Sequence, residues 1–293
     1  MDAQQIQQEM MKIQQEMMQA QMQYASDPTK MQKEMERLSK KMNEISMQYA
    51  AAMAGSYGMS GADISQMAAD AYAGLEVDDE KAKADFVAAN PVKADQERYL
   101  PIGATLITTH DEPWQCFSFM EEKEYWYSVL DNGWGIKKAP EGRKMIESLL
   151  KGRHQAKFGE DYAKFKAGKP HKLDADSVEG YNENMATMAT YVPVLVPFAE
   201  KCTTLLAWDL ERAGYLARIF HAIGWIDLKE LADWLDKTAK EIKANFKTWE
   251  EYIVSILIGR AVAFRFDEVV VGAADHVMDS GKALLKKYPI SKL

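Results

Sequence analysis

The sequence predicts a mainly α-helical protein: an N-terminal antiparallel helical hairpin, then a C-terminal helical domain carrying one small β-hairpin. Three observations lead there. Residues 1–54 hold two apolar heptad seams separated by a turn signal. The last third of the chain repeats the helical apolar period behind two capping boxes. Composition changes sharply between the two regions, since 13 of the 18 Met lie in residues 1–67 and all seven Trp lie after residue 113. The expected organisation is a Met/Gln-rich hairpin over 1–54, a linker with weak helices over 55–103, and a mainly helical globular domain over 104–293.

The hairpin is read from Ile6, Met10, Ile13, Met17, Ala20 and Tyr24, then Met31, Met35, Leu38, Met42, Ile45, Tyr49 and Ala52. Both runs alternate steps of four and three, the a/d spacing of a helical seam. Between them, Asp27-Pro28 places a capping side chain before a proline at the first helical position. Met11, Met18 and Met22 add a second apolar stripe to the first helix. One neighbouring helix cannot cover both stripes. In the linker, Gly55, Gly58 and Gly61 break the pattern, and Asp63 to Tyr72 is compatible with a short helix.

The domain begins with Thr105 to Thr109 and Cys116 to Phe119 flanking His110-Asp111-Glu112-Pro113. Beta-branched and aromatic residues around a polar turn predict two paired strands. Helices follow Trp134: Ile146, Leu149 and Leu150 share a face, Gly152 interrupts, and His154 to Phe165 continues. Residues 166–184 read as a polar loop. Leu205 to Ile223 predicts an amphipathic helix stopped by Gly224. Asp227-x-x-Glu230 and Thr248-x-x-Glu251 are capping boxes opening two more, and Val269 to Lys287 predicts a last one.

A chain of 293 residues can bury a sizeable core without staples. Net charge is −8, which disfavours general binding to a phosphate backbone, so nucleic acid is not an expected partner. Cys116 and Cys202 are far apart and form no CxxC, and the five His show no ligand-pair spacing, so neither a metal nor another cofactor is expected. Residues 1–25 carry no basic-plus-apolar leader, and no apolar run reaches the roughly 18 residues a membrane span needs. A cytoplasmic location is expected, with signal-independent secretion left open.

A series of motifs resembles a known family. Tyr127-Ser128-Val129-Leu130 and Trp134-Gly135-Ile136 are followed by Ile146-x-x-Leu149-Leu150-x-Gly152-x-His154. Ala207-Trp208-Asp209-Leu210-x-Arg212, Ala217-Arg218, Gly224-Trp225-Ile226, Thr248-Trp249-Glu250-Glu251 and Gly259-Arg260 come next. Their order and spacing over about residues 120–265 resemble the bacterial YbeU/YbeR-type domain, a family of unassigned function. The family pattern carries Ser-Trp where Thr248-Trp249 stands here, and Gly where Arg153 precedes the His. The resemblance implies no reaction.

The candidate catalytic residues are His154, Asp209, Arg212, Arg218 and Arg260. Asp209 and Arg212 are three apart on one helix and can pair. Arg218 lies on the same helix, and Arg260 ends the apolar stretch Ile253 to Ile258. Such a cluster either binds an anion or is a buried ion-pair network that fixes helix packing. The expectation is that Asp209 hydrogen-bonds at least one of these arginines. His154 is a candidate acid–base group with Asp209 or Glu250 as its orienting carboxylate, against the plainer reading of a structural histidine. Met10, Met11, Met17, Met18 and Met22 are the candidate partner-binding residues, since flexible Met side chains suit helix-in-groove binding. The reading placed first is a non-enzymatic bacterial protein that binds a protein partner or itself through the hairpin. The alternatives are a hydrolase or transferase acting on an anionic substrate, and a signal-less secreted effector or immunity protein in bacterial antagonism.

Overall fold

A computed structural model describes residues 12–13, 37–38, 41 and 79–293. The chain divides into two compact units, Met1–Lys81 and Ala82–Leu293. In the first unit the described residues 12–13, 37–38 and 41 are helical. Ile13 and Leu38, both seam positions, are fully buried. The rest of the expected hairpin, including the turn at Asp27-Pro28 and Met10, Met11, Met17, Met18 and Met22, lies outside the described residues.

The second unit opens with helical residues 82–89 and continues as α1 (Ala104–Thr108), α2 (Lys123–Trp134), α3 (Ala139–Leu150), α4 (Arg153–Lys166), α5 (Ala175–Tyr191), α6 (Val196–Lys201), α7 (Leu206–Ala222), α8 (Leu228–Asn245), α9 (Trp249–Phe264), α10 (Glu268–Ser280) and α11 (Lys282–Lys287). Helices α7 and α9 form its centre. They pack on each other; α7 also packs on α1, α3, α4 and α8, and α9 on α4, α5, α6 and α10. Helix α9 is buried on every side from Tyr252 to Gly259, and that stretch is almost wholly apolar. Among the described residues no helix is long and apolar enough to cross a membrane.

The capping boxes act as their spacing requires. Asp227 accepts from the Glu230 amide at 2.7 Å, and Thr248 from the Glu251 amide at 3.3 Å. Gly224, at φ 82°, closes the turn after α7. Three segments differ from expectation at their helix boundaries. Helix α2 (Lys123–Trp134) precedes Trp134, after which helices were expected to start. Half of the expected polar loop is helix α5, started by Asp174 accepting from the Ser177 amide at 2.7 Å. The expected last helix is broken at Gly281 into α10 and α11, where the Gly281 backbone lies against Trp114.

The β-hairpin is absent: among the described residues there is no strand, and Ala104–Thr108 is helix α1. The reason is tertiary. The amides of Gly103 and Leu106 donate to the buried Glu211 carboxylate at 3.0 and 3.2 Å, which caps α1. The carbonyls of Trp114 and Cys116 accept from Arg218 at 2.7 and 2.6 Å. Charged groups of α7 thus satisfy backbone that a strand ladder would otherwise have to satisfy.

Candidate functional site

Most of the 17 residues of α7 are buried, and Asp209, Glu211 and Arg218 have no exposed surface at all. A buried charge needs partners, and here all three find backbone. Besides its two amides, Glu211 accepts from the Tyr252 hydroxyl at 3.1 Å. Burial pushes its carboxyl up to about 7, against the opposing pull of those donors. Arg218 donates to the Leu100 carbonyl at 2.9 Å in addition to the two already named, and burial lowers its guanidinium to about 10.

Asp209 performs for α4 what Glu211 performs for α1. Helix α3 ends at Leu150, and Gly152, at φ 72°, turns the chain into α4 in a left-handed conformation that disfavours side chains. The turn presents the first α4 amides to Asp209. Its Oδ2 accepts from the His154 and Gln155 amides at 2.8 and 3.0 Å, and its Oδ1 lies 2.6 Å from His154 Nδ1. A carboxylate at a helix N-terminus is favoured by both the orphan amides and the helix dipole. Helix α4 caps α7 in return, since Gln155 Oε1 accepts from the Leu205 amide at 2.7 Å and the Thr204 hydroxyl at 3.0 Å. His154 is therefore fixed from both sides, through its backbone and its ring.

The Asp209 carboxylate facing Nδ1 makes Nδ1 the protonated nitrogen of the neutral imidazole. Arg212 Nη1 lies 3.1 Å from Nδ1 and 3.2 Å from Nε2. A donor aligned with the Nε2 lone pair would be far from Nδ1, so these near-equal distances place Nη1 against the ring and off that axis. Among the described residues no other group hydrogen-bonds Nε2. The Arg212 guanidinium is held among three rings, 4.2 Å from the centre of Trp134, 5.3 Å from Trp208 and 5.1 Å from Phe264. Burial lowers it to about 10; Asp209 acts in the opposite sense, and Arg153 and Arg260 act with burial.

These groups open into a cleft of about 340 Å³ between α2, α3, α4, α7 and the end of α9. Its charged and titratable lining is Arg153, His154, Lys157 and Arg212, with no carboxylate. Among the described residues none of the three permanent cations pairs with an acid. Arg153 reaches Met145 Sδ at 3.2 Å, Lys157 lies 4.5 Å from the centre of the Phe158 ring, and Arg212 contacts the His154 ring. In a chain of net charge −8 this is a local reversal of sign.

Of the five expected residues, the structure brings His154, Asp209 and Arg212 together. Asp209 is buried as expected, but its hydrogen-bond partners are His154 and Gln155 and not an arginine, because α4 brings its own donors to the carboxylate first. Arg218 is on another side of α7, holding the segment from Leu100 to Cys116. Arg260 closes the C-terminus of α9, donating to the Phe264 and Arg265 carbonyls at 2.7 and 2.8 Å and pairing with Asp267 at 2.9 Å. Sequence reasoning missed Arg153, Lys157, Trp134 and Phe264. The first two carried a usable signal: they flank His154 four apart on one helix.

Residues 129–288, more than half of the chain, match the family described as "Protein of unknown function (DUF1266)". The chain belongs to the DUF1266 family. The match supports that family and not the narrower YbeU/YbeR-type naming. The DUF1266 region contains every cleft residue named above, while Leu100, Gly103, Trp114 and Cys116, whose backbone α7 holds, precede it. No curated protein and no solved structure matches the chain.

Proposed function

We propose that the second unit is a ligand-binding domain for a small anion, held in the cleft of His154 and Arg212. The observation that carries this reading is the lining: three permanent cations and an imidazole, no carboxylate, in an acidic chain. Arg212 contributes most, because its aromatic surroundings remove water and strengthen its attraction for a negative group. Arg153 and Lys157, both exposed, draw the anion to the mouth. His154, with Nδ1 fixed by Asp209, offers Nε2 to the bound ligand as an acceptor or, once protonated, as a donor. The enzymatic form of this reading is proton transfer by His154. The cleft lining contains no Ser, Thr or Cys, so acyl transfer to a side-chain hydroxyl or thiol is not part of it.

The reading is tested by melting the protein with phosphate, sulfate and acetate at constant ionic strength. An anion that binds the folded state raises the melting temperature in proportion to the logarithm of its concentration. Arg153→Gln combined with Lys157→Gln should weaken that response, and Arg212→Gln should abolish it. A response equal in all three proteins would locate the anion elsewhere.

A second reading keeps the N-terminal unit as an interaction module, on the paired heptads and the burial of the two described seam residues, Ile13 and Leu38. Deletion of residues 1–54 should leave the second unit folded and change the oligomer mass or abolish partner capture. An unchanged mass with an unfolded remainder would contradict it.

A further inference from the structure

The anion-binding reading leaves the rest of the ligand unspecified, and the cleft limits it. Apart from its cations and imidazole, the side chains lining the cleft are Trp134, Met145, Phe158, Ala263 and Phe264, whose one polar atom is the Trp134 indole N–H. There is no Asn, Gln, Ser, Thr, Asp or Glu. Hydroxyls of a sugar, or the amide edges of a nucleobase, lose hydration on entering such a site and find a single neutral side-chain donor, the Trp134 indole, and no side-chain oxygen to accept from them. The His154 and Gln155 amides at the start of α4 already donate to Asp209. A polyhydroxylated body is therefore disfavoured by the same walls that favour an apolar one.

The space exceeds what an inorganic anion fills, and at about 340 Å³ it lies in the range of small-ligand pockets. Phe264 is 46% exposed at the end of α9, a large apolar surface left in water. It lies beside His154, ring centres 5.1 Å apart, so an anion on His154 and Arg212 would bring its body against this ring.

We infer that the ligand is an amphiphilic anion: a single phosphate or carboxylate group on Arg212, His154 and the outer cations, joined to an aromatic or aliphatic body without hydroxyls that packs on Phe264, Phe158 and Trp134. This rests on the anion-binding reading, and the test separates the two. The full chain is titrated with inorganic phosphate, phenyl phosphate, benzoate and a hexose phosphate, following heat or tryptophan emission. Phenyl phosphate or benzoate should bind at least about tenfold tighter than inorganic phosphate, the gain expected from burying a ring. The hexose phosphate should bind no tighter than inorganic phosphate. Phe264→Ala, at a position 46% exposed, should bring the aryl anions and inorganic phosphate to equal affinity; the ratio is the readout, because Phe264 also packs on Arg212 and its loss weakens every anion. If the hexose phosphate equals the aryl anions, or the aryl anions equal inorganic phosphate, the inference is overturned while the anion site stands. If none of the four binds, the anion-binding reading itself fails.

Discussion

Replacing Asp209 by Ala removes the acceptor for three donors at once: the His154 amide, the Gln155 amide and the His154 ring, at 2.8, 3.0 and 2.6 Å. The carboxylate has no exposed surface, so water does not replace it freely. Hydrogen bonds to a charged group contribute about 1.5–3 kcal/mol each, and the three share one carboxylate and one helix end, so they do not add fully. Removing one member of a buried charged network costs about 3–5 kcal/mol, and that is the expected loss. For a unit of this size it corresponds to a fall of about 6–20 °C in melting temperature. Asp209→Asn keeps one oxygen for the two amides but not the charge, so it should recover part of the loss. Urea denaturation of the full chain measures both. Hydrogen exchange supplies a local check, because the His154 and Gln155 amides should lose protection before the rest of α4. A loss below about 1 kcal/mol for Asp209→Ala, or unchanged protection at those amides, would refute the argument that this carboxylate anchors α4.

Three further outcomes follow from the same helix. The Glu211 carboxyl is raised from 4.5 to about 7 in the folded protein, so the folded state holds its proton more tightly than the unfolded chain. This contribution is fully present below the unfolded value and is lost as pH rises to about 7, by up to about 3 kcal/mol; urea titrations across that window should show the decline in the native protein and a flatter profile in Glu211→Gln. Arg218→Met leaves the Leu100, Trp114 and Cys116 carbonyls unpaired and should cost about 3–5 kcal/mol by denaturation. Gly103, at φ 83°, has the Tyr215 amide nitrogen 2.5 Å from where a Cβ would stand; Gly103→Ala should therefore cost at least about 3 kcal/mol, and a melting temperature equal to that of the native chain would contradict the close approach.

The helices of the last third were legible because their signals are local. Asp227 and Thr248 cap their own helices, and Leu231, Leu235 and Ile242 repeat on one buried face. The segment from Thr105 to Phe119 misled because its satisfaction is not local: Glu211 and Arg218, about a hundred residues away, hold its backbone. Nothing within Thr105 to Thr109 announces that a carboxylate will cap it. Helix α5 was missed for a weaker reason, since Asp174 and Ser177 carry a capping signal but Asn182, Asn184 and the charges around them obscure the apolar face. In the cleft, His154, Asp209 and Arg212 stood out as residue types. Their relation did not, because the partner of Asp209 is set by where α4 starts. Periodicity marks Arg212 as a helix residue, but only the assembled fold places Trp134 and Phe264 over its guanidinium.

Arg212 is the centre of the proposed anion site. Its most direct test is calorimetric titration of the full chain with phenyl phosphate, comparing the native protein, Arg212→Gln and the exposed-residue control Lys164→Gln. The account predicts saturable binding at one site, unchanged in Lys164→Gln and weakened at least about tenfold in Arg212→Gln, the loss expected for one charge-assisted contact. Arg212→Gln should keep a cooperative melt, which separates lost binding from lost folding. Equal affinity in the native protein and Arg212→Gln, or no binding by the native protein, would contradict it.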